Sequence, residues 1–250
     1  MNAFNFLTTD RPMGKTMVLD KGLGLNEVTD LIAVAGAHIS FVKFGWGTSA
    51  VSDRNLIQQK VAAYNAAGIT TYPGGTLLEV AVLQGKYAEY LNEARAIGFT
   101  GIEVSDGSTV IDAVTRGELI KQARDAGFFV ISEVGKKNPD LDHELTPTER
   151  LAMIQADLDH GAHYVILEAR EAGKNIGIYD ANGQIIDDEL KVLAQAGVEH
   201  LIIEAPLKAQ QVALVLKYGP AVNLGNIATE DAISVATIRR GLRGDTVGKV

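Results

Sequence analysis

The stretch ISFVKFGWGTSAVSDRNLIQQKVAAYNAAGITTYP, residues 39–73, shows the repeating unit of this chain. Its first residues, ISFVKFG, are mostly β-branched or aromatic, which favours a buried strand. The segment NLIQQKVAAYNAAG (55–68) has apolar residues at helical spacing and ends in Gly68, and a glycine is typical of a helix C-terminus. The run ITTYP (69–73) predicts a second strand. A strand, a helix and a strand in this order form one unit of a parallel sheet.

The same unit recurs along the chain, with strand starts about 20 to 37 residues apart. We predict eight strands, at residues 16–20, 39–45, 69–73, 101–105, 128–134, 164–169, 201–205 and 221–225. Eight such units predict an α/β fold in which the sheet closes into a (β/α)8 TIM barrel. An open doubly wound sheet is the alternative. However, LDKGLGLNEV (19–28), after the first strand, lacks the G-x-G-x-x-G spacing that usually accompanies that fold.

Length and organisation predict one domain. The 250 residues match the usual size of such a barrel, and no linker or low-complexity segment divides them. We therefore predict a single barrel domain over residues 1–250 that ends in a short basic tail, RRGLRGDTVGKV (239–250).

Composition limits the class of protein and its partners. Hydrophobic residues at 46% and charged residues at 22%, without a run of roughly 18 apolar residues, predict a soluble protein with no membrane partner. The absence of cysteine excludes disulfides and thiolate metal sites, and together with the lack of a secretory signal pattern it predicts a cytoplasmic location. The formal net charge of -8 argues against nucleic acid as a partner, because nucleic acids bind basic surfaces.

Charged residues at the strand ends are the candidate functional residues, because active sites of these barrels lie at the carboxyl ends of the strands. The candidates are Lys21, Lys43, Glu103, Glu133, Lys136, Lys137, Glu168, Arg170, Glu204 and Asn223. Charged groups inside apolar strands are costly unless they are paired, hydrogen-bonded or bound to metal. So many of them predict a shared site, although a structural ion pair is an equal alternative for any single one.

Four glutamates at equivalent strand positions predict a magnesium site. They are Glu103, Glu133, Glu168 and Glu204. Their carboxylates would repel one another, and the interleaved lysine and arginine side chains would relieve only part of that repulsion. Because Mg2+ prefers carboxylate, water and phosphate oxygens, we expect two or more of these glutamates to bind it.

The turn YPGGT (72–76) is a candidate anion site. Gly74 and Gly75 precede a predicted helix, and backbone N–H groups at the start of a helix attract anions such as phosphate. A plain Pro-Gly turn is the alternative. The segment NLGNIA (223–228) is a second candidate, because phosphates in these barrels often bind beside the loops after strands seven and eight.

Eight motifs, spread over nearly the whole chain, fall at strand ends and in the tail. They are VLDKG (18–22), FVKFGWGTSA (41–50), YPGGTL (72–77), EVSDGS (103–108), EVGKK (133–137), VILEARE (165–171), EAPLKAQQV (204–212) and RRGLRGDTVGKV (239–250). Together they resemble the phosphosulfolactate synthase family. The resemblance implies a (β/α)8 barrel in a compact homotrimer. It also implies an enzyme that adds sulfite to phosphoenolpyruvate with Mg2+ to form (2R)-phospho-3-sulfolactate, an early step toward coenzyme M or sulfolactate.

For this reaction Lys137 is predicted to give a proton to C2 of the enediolate that follows sulfite attack, with Lys43 or Lys21 as alternatives. Neighbouring cations are expected to lower the pKa of Lys137 and so ease proton release. Arg170 is predicted to bind a carboxylate or phosphate, and Gly74, Gly75 and Asn223 to contact substrate. Sulfite is expected beside Lys136 or a tail arginine. The tail arginines are Arg239, Arg240 and Arg243.

Two other functions stay open. In an aldolase-type barrel, Lys43 or Lys137 would form a Schiff base with a carbonyl substrate. A barrel without catalytic activity is the second alternative, because the domain is also similar to a plant heat-stress-associated family and a fold does not imply a reaction.

Overall fold

A computed structural model describes Phe4 and residues 11–250, so residues 1–3 and 5–10 of the predicted domain lie outside the described part. Its strands are β1 (Thr16–Asp20), β2 (Phe41–Phe44), β3 (Thr70–Pro73), β4 (Gly101–Val104), β5 (Phe129–Val134), β6 (Tyr164–Leu167), β7 (Leu201–Glu204) and β8 (Leu224–Ala228). All eight predicted strands are present. The main difference is that β8 begins at Leu224 instead of residue 221.

Helices connect the strands on the outside of the sheet. They are α1 (Leu25–Ala35), α2 (Thr48–Val51), α3 (Arg54–Ala66), α4 (Gly75–Leu83), α5 (Tyr87–Ile97), α6 (Ala113–Asp125), α7 (Pro139–Glu144), α8 (Pro147–His160), α9 (Asp187–Leu193), α10 (Lys208–Tyr218) and α11 (Ala232–Arg239). Local chemistry sets their ends. Thr146 and Glu149 form a capping box before α8. Gly68, after α3, has a φ of 76°, which glycine adopts without strain.

The strands form one parallel sheet that is nearly closed into a barrel. Their order is β3-β2-β1-β8-β7-β6-β5-β4, and the hydrogen-bonded neighbours in this order run parallel. The two end strands, β3 and β4, lie side by side, and Thr100, the residue before β4, donates its N–H to the Thr71 carbonyl of β3 at 3.2 Å. This closure confirms the predicted (β/α)8 barrel.

Apolar residues occupy both faces of the strands. A large cluster between strands and helices includes Val18 and Val42. A smaller cluster fills the barrel interior and consists of Met17, Phe41, Tyr72, Ile131, Ile166 and Ile202. Side chains along a strand alternate between its two faces, so a residue two positions after an interior residue also points inward. This alternation brings the charged strand-end residues to the open end of the barrel.

Candidate active site

The charged strand-end side chains are gathered at the carboxyl end of the barrel. Several of them stand two positions after a residue of the interior cluster, so they point inward. The residues with this spacing are Lys43, Glu133, Glu168 and Glu204. The lysine in the middle of FVKFG therefore faces buried carboxylates instead of apolar side chains.

The Lys43 ammonium is the centre of this cluster. Its Nζ lies 2.9 Å from Glu133 Oε2 and 3.0 Å from Glu103 Oε2. Glu204 Oε1 is farther away, at 3.9 Å. Burial by itself lowers the pKa of Lys43, but these three carboxylates outweigh burial and raise the pKa well above its ordinary value. Lys43 is therefore a fixed positive charge.

Lys137 is the second ammonium of the cluster. Its Nζ lies 2.6 Å from Glu133 Oε1 and 2.8 Å from Glu168 Oε2. Burial lowers the pKa of Lys137, but the charges of Glu133 and Glu168 outweigh burial and raise it. The expectation of a lowered pKa is therefore wrong, because the two carboxylates outweigh the opposing effect of Lys43.

The glutamates differ in acidity because they share the ammonium groups unequally. Burial opposes ionisation of Glu133, yet Lys137 and Lys43 together hold its pKa below the ordinary value. Burial raises the pKa of Glu103 to about 7, and Lys43 offsets only part of that rise. Burial, with the charge of Glu168, raises the pKa of Glu204 well above its ordinary value. The cluster thus contains a firmly ionised glutamate beside weaker acids.

A cavity of about 360 Å3 lies at this end of the barrel. Of the predicted residues, those that line it are Lys43, Gly74, Gly75, Glu103, Lys137, Glu168, Arg170 and Glu204. Its size is at the small end of ligand pockets, and charged groups line much of it. A small anionic substrate suits such a cavity.

The YPGGT turn reaches the cavity, but its first N–H groups are already engaged. Gly75 N–H donates to Glu103 Oε1 at 2.7 Å, and Gly74 N–H donates to the Phe44 carbonyl at 2.9 Å. A Cβ at Gly75 would lie 2.3 Å from Ser105 Oγ. Glycine is therefore required there by close packing.

Arg170 and Lys21 lie at the rim. Arg170 is exposed and lines the cavity, and its Nη1 donates to the Lys137 carbonyl at 2.8 Å. The Lys21 Nζ lies 2.9 Å from Glu171 Oε1 and 5.0 Å from the ring centre of Trp46. Lys21 lines a small neighbouring cavity instead of the main one. Lys21 is thus a weaker candidate for contact with a substrate in the main cavity than Lys43 and Lys137, which line that cavity.

Asn223 lies at the opposite end of the barrel from its predicted position. Because β8 begins at Leu224, Asn223 comes before the strand and not near its end. Its side chain accepts from Lys15 N–H at 2.8 Å and donates to the carbonyls of Glu199 and Leu201 at 3.0 and 2.9 Å. Its predicted contact with substrate is therefore wrong.

Lys136 and the tail arginines also lie outside the cavity lining as far as the structure describes it. Lys136 Nζ contacts Asp106 Oδ2 at 2.5 Å. Arg239 donates to the Lys15 and Pro220 carbonyls, at the amino end of the barrel. The chain returns to that end through α11, so Arg239 lies at the opposite end of the barrel from the cavity.

Several other residues line the cavity and had no individual role predicted from the sequence. They are Leu19, Gly45, Trp46, Thr76, Ser108 and Glu171. Asn226 has a φ of 52° and donates through Nδ2 to the Arg170 carbonyl at 2.7 Å and to Glu204 Oε2 at 3.3 Å. Asn226 lies within NLGNIA, the second candidate anion site in the sequence, and it is the residue of that segment that lines the cavity.

The glutamates fit a magnesium ion only with help from other ligands. In the described chain, no group of three or more His, Cys, Asp or Glu side chains is arranged to hold a metal by itself. Both oxygens of Glu133 contact lysines. Glu103 Oε2 is 3.0 Å from Lys43 Nζ, and Glu204 Oε1 is 3.9 Å from it. Mg2+ often uses one or two carboxylates and completes its shell with water and substrate phosphate.

The helices of residues 11–250 are too short or too polar to cross a membrane.

Comparison with known proteins gives consistent matches over the whole chain. A family model described as (2R)-phospho-3-sulfolactate synthase (ComA) matches residues 6–245. The phosphosulfolactate synthase of Methanocaldococcus jannaschii is 53% identical over 251 residues, with 100% of each chain covered. That of Methanothermobacter thermautotrophicus is 48% identical and covers 100% of this chain and 99% of its own. That of Bacillus subtilis is 37% identical and covers 98% and 99%.

Solved structures with low sequence identity share the fold. The 3-hexulose-6-phosphate synthase from Salmonella typhimurium has a TM-score of 0.57 at 13% identity, covering 92% of this chain and 100% of its own. A phosphonopyruvate hydrolase complex with oxalate and Mg++ has a TM-score of 0.57 at 13% identity, covering 91% and 80%. At this identity the likeness shows the fold alone.

Proposed function

The chain belongs to the phosphosulfolactate synthase family and is an enzyme of that family, and from this premise we propose that it adds sulfite to phosphoenolpyruvate to form (2R)-phospho-3-sulfolactate. One observation carries the proposal. The ammonium groups of Lys43 and Lys137 line the same cavity, and each forms an ion pair with a buried glutamate. Both substrates are anions, and charge develops on one of them during the reaction. Preorganised positive charge is the feature that lowers such a barrier most.

The reaction makes one C–S bond and one C–H bond. The sulfur lone pair of sulfite attacks the terminal methylene carbon, C3. The π electrons of the C2–C3 double bond move into the carboxylate and give an enediolate. A proton then reaches C2, while the phosphate ester stays on the C2 oxygen. The enzyme must therefore stabilise growing charge at the carboxylate and place a proton donor at one face of C2.

We assign the proton donor to Lys137 and the fixed charge to Lys43. The Lys137 side chain is 25% exposed toward the cavity, whereas that of Lys43 is 12% exposed. The raised pKa keeps Lys137 protonated before the reaction, and the carbanion-like C2 of an enediolate is basic enough to take that proton. Lys43 is held by Glu133 and Glu103, so its charge stays in place as the enediolate forms.

Substrate anions are assigned to the cationic rim and to the start of α4. The exposed Arg170 guanidinium matches a carboxylate or phosphate in a two-bond geometry. Phosphate is assigned beside Gly74, Gly75 and Thr76, where the helix dipole of α4 is positive and Thr76 lines the cavity. Sulfite is assigned to the space between Arg170 and Lys137, because Lys136 lies elsewhere.

We assign Mg2+ to Glu103 and Glu204. Both residues line the cavity, Glu204 Oε1 is 3.9 Å from Lys43, and Glu103 Oε2 contacts only the Lys43 ammonium that it shares with Glu133. A bound Mg2+ would supply further positive charge at the substrate carboxylate. Glu133 keeps its role as the partner of Lys43 and Lys137.

The direct test is to mix the protein with Mg2+, phosphoenolpyruvate and bisulfite and to follow the products by NMR. We expect loss of the two vinyl proton signals and growth of signals from a CH2–CH unit that carries sulfonate and phosphate. A sample without bisulfite is the control. Unchanged phosphoenolpyruvate in the complete mixture would reject the proposed reaction.

Metal removal tests the magnesium assignment separately. After treatment with EDTA and removal of the chelator, turnover is expected to stop and to return when Mg2+ is added, because charge neutralisation by the metal is lost and then restored. The Glu103→Gln variant is expected to need more Mg2+ for half-maximal rate. Full activity after thorough chelation would remove Mg2+ from the proposal.

The Schiff-base alternative has less support. A lysine must lose its proton before it attacks a carbonyl, and the carboxylates raise the pKa of both Lys43 and Lys137. A homotrimer and a cytoplasmic location stay predictions. Light scattering coupled to size exclusion would test the trimer, and cell fractionation would test the location.

A further inference from the structure

We propose that Glu79 is a positioning residue for Lys137, acting through the loop between β4 and α6 (residues 105–112), which we call the β4–α6 loop. The role given to Lys137 rests on the proposed function. Glu79 belongs to α4, does not line the cavity and is 1% exposed.

Glu79 binds the β4–α6 loop through three hydrogen bonds. Its Oε1 accepts from Ser105 Oγ at 2.7 Å, and its Oε2 accepts from Ser108 N–H and from Thr109 Oγ1, both at 2.8 Å. These three donors are neutral groups of one short loop. A buried carboxylate is costly unless such bonds satisfy it, so the loop and the carboxylate hold each other in one arrangement.

The loop in turn contacts Lys137 directly. Lys137 N–H donates to the Gly107 carbonyl at 2.8 Å. A Cβ at Gly107 would lie 3.0 Å from Lys137 Nζ and 3.2 Å from its Cγ. The lysine side chain therefore lies against the loop backbone at a point where a Cβ would force it to shift by a few tenths of an ångström.

Lys136 ties the same loop to the end of β5. Its Nζ donates to the Asp106 side chain at 2.5 Å and to the Asp106 and Thr109 carbonyls at 2.9 and 3.3 Å. The loop is thus held from α4 by Glu79 and from β5 by Lys136. The Lys137 ammonium, 2.6 Å from Glu133 and 2.8 Å from Glu168, stands between this loop and the carboxylates.

The Glu79→Gln variant tests the inference with little change in size. Glutamine keeps one acceptor oxygen for Ser108 and Thr109, but its NH2 would make the Ser105 hydroxyl an acceptor, and the bonds to the loop lose the strength that the carboxylate charge gives them. We expect amide exchange in residues 105–112 to rise by about tenfold or more, kcat to fall by about tenfold or more and the KM for phosphoenolpyruvate to stay within about threefold. The fall in kcat is expected because a displacement of a catalytic group such as the Lys137 ammonium by ~1 Å can lower the rate by up to about a hundredfold. Glu118→Gln, at an exposed position on α6, is the matched control and is expected to change none of these values.

A second variant separates positioning from general stability. Gly107→Ala leaves the Glu79 contacts in place but displaces the Lys137 side chain, so it is expected to lower kcat in the same way. Because both variants act on one lysine, their combined effect on kcat should be smaller than the product of the two separate effects. The inference would be overturned if the double variant lost as much kcat as the product of the two separate losses. A Glu79→Gln enzyme with wild-type kcat would also overturn it. If Glu79→Gln fails to fold, a wild-type kcat in Gly107→Ala would overturn it.

Readouts that do not involve the reaction distinguish this inference from the proposed function. Acetic anhydride labels lysines at rates that depend on their surroundings, and mass spectrometry reports the rate at Lys137. Glu79→Gln and Gly107→Ala are expected to change that rate, and Glu118→Gln is not. If the wild type makes no sulfonate, the proposed reaction fails while this result still tests the positioning. An unchanged labelling rate, or unchanged amide exchange in the loop, would overturn the inference whatever the reaction is.

Discussion

Replacing Lys137 by methionine is expected to lower the rate of product formation by at least about a hundredfold while the barrel stays folded. Methionine keeps most of the length of the side chain but carries neither the proton for C2 nor the positive charge between Glu133 and Glu168. Glu133 retains its contact with Lys43 at 2.9 Å, so the buried cluster keeps a cation. The measurement is kcat by NMR, with circular dichroism and a melting curve for the fold.

Lys121→Met, at an exposed position on α6, is the control for the loss of one lysine and is expected to keep the wild-type rate. A Lys137→Met enzyme that keeps more than about a tenth of the rate, a loss of less than ~1.4 kcal/mol, would remove Lys137 as the proton donor. Lys43 would then be the next candidate, because its ammonium also lines the cavity.

Replacing Lys43 by methionine is expected to lower the free energy of unfolding by about 3 to 5 kcal/mol. Lys43 contacts Glu103 and Glu133 inside the barrel, and its loss would leave Glu103 as a buried charge without a nearby cation. The loss is expected to be smaller at pH 5 than at pH 8. Burial raises the pKa of Glu103 to about 7, so at pH 5 this carboxyl is largely protonated and needs no cation. Urea unfolding at the two pH values measures both effects.

Lys86→Met is the matched control for this experiment. Lys86 and Glu89 form an ion pair at 2.8 Å whose side chains are 60% and 59% exposed. Solvent screens such a pair, so its loss is expected to change the free energy of unfolding much less than Lys43→Met does. Equal losses for Lys43→Met and Lys86→Met would show that the buried cluster does not depend on Lys43.

The strands and the end of the barrel that carries the site were predictable because both follow from local patterns. β-branched runs separated by helical segments identify eight units, and residues such as Gly68 mark helix ends. The alternation of side chains places Lys43 and Glu133 on the interior face without any knowledge of their partners. The error at β8 arose in AVNLG (221–225). The sequence pattern typical of a strand begins at residue 221, but the strand in the structure begins only at Leu224. That shift moved Asn223 to the wrong end of the barrel.

The sequence did not predict which groups pair and what their pairing does to acidity. Lys136 and Lys137 are neighbours in the chain, yet one contacts Asp106 in a loop and the other contacts Glu133 and Glu168. Both lysines follow the end of β5, and each partner comes from a different part of the fold. The direction of the Lys137 pKa shift follows from those partners, so it could not be inferred from the number of nearby lysines.

The order of apolar and polar residues along this chain is sufficient to specify a closed barrel with charged residues at one end, because strand and helix periods are properties of neighbouring residues. Ion-pair partners, the acidity of each carboxyl and the anchoring of the β4–α6 loop depend on distances between residues far apart in sequence. Electrostatic energy changes steeply over a few ångströms in a buried site, so these properties emerged only when the folded chain placed each oxygen beside its nitrogen.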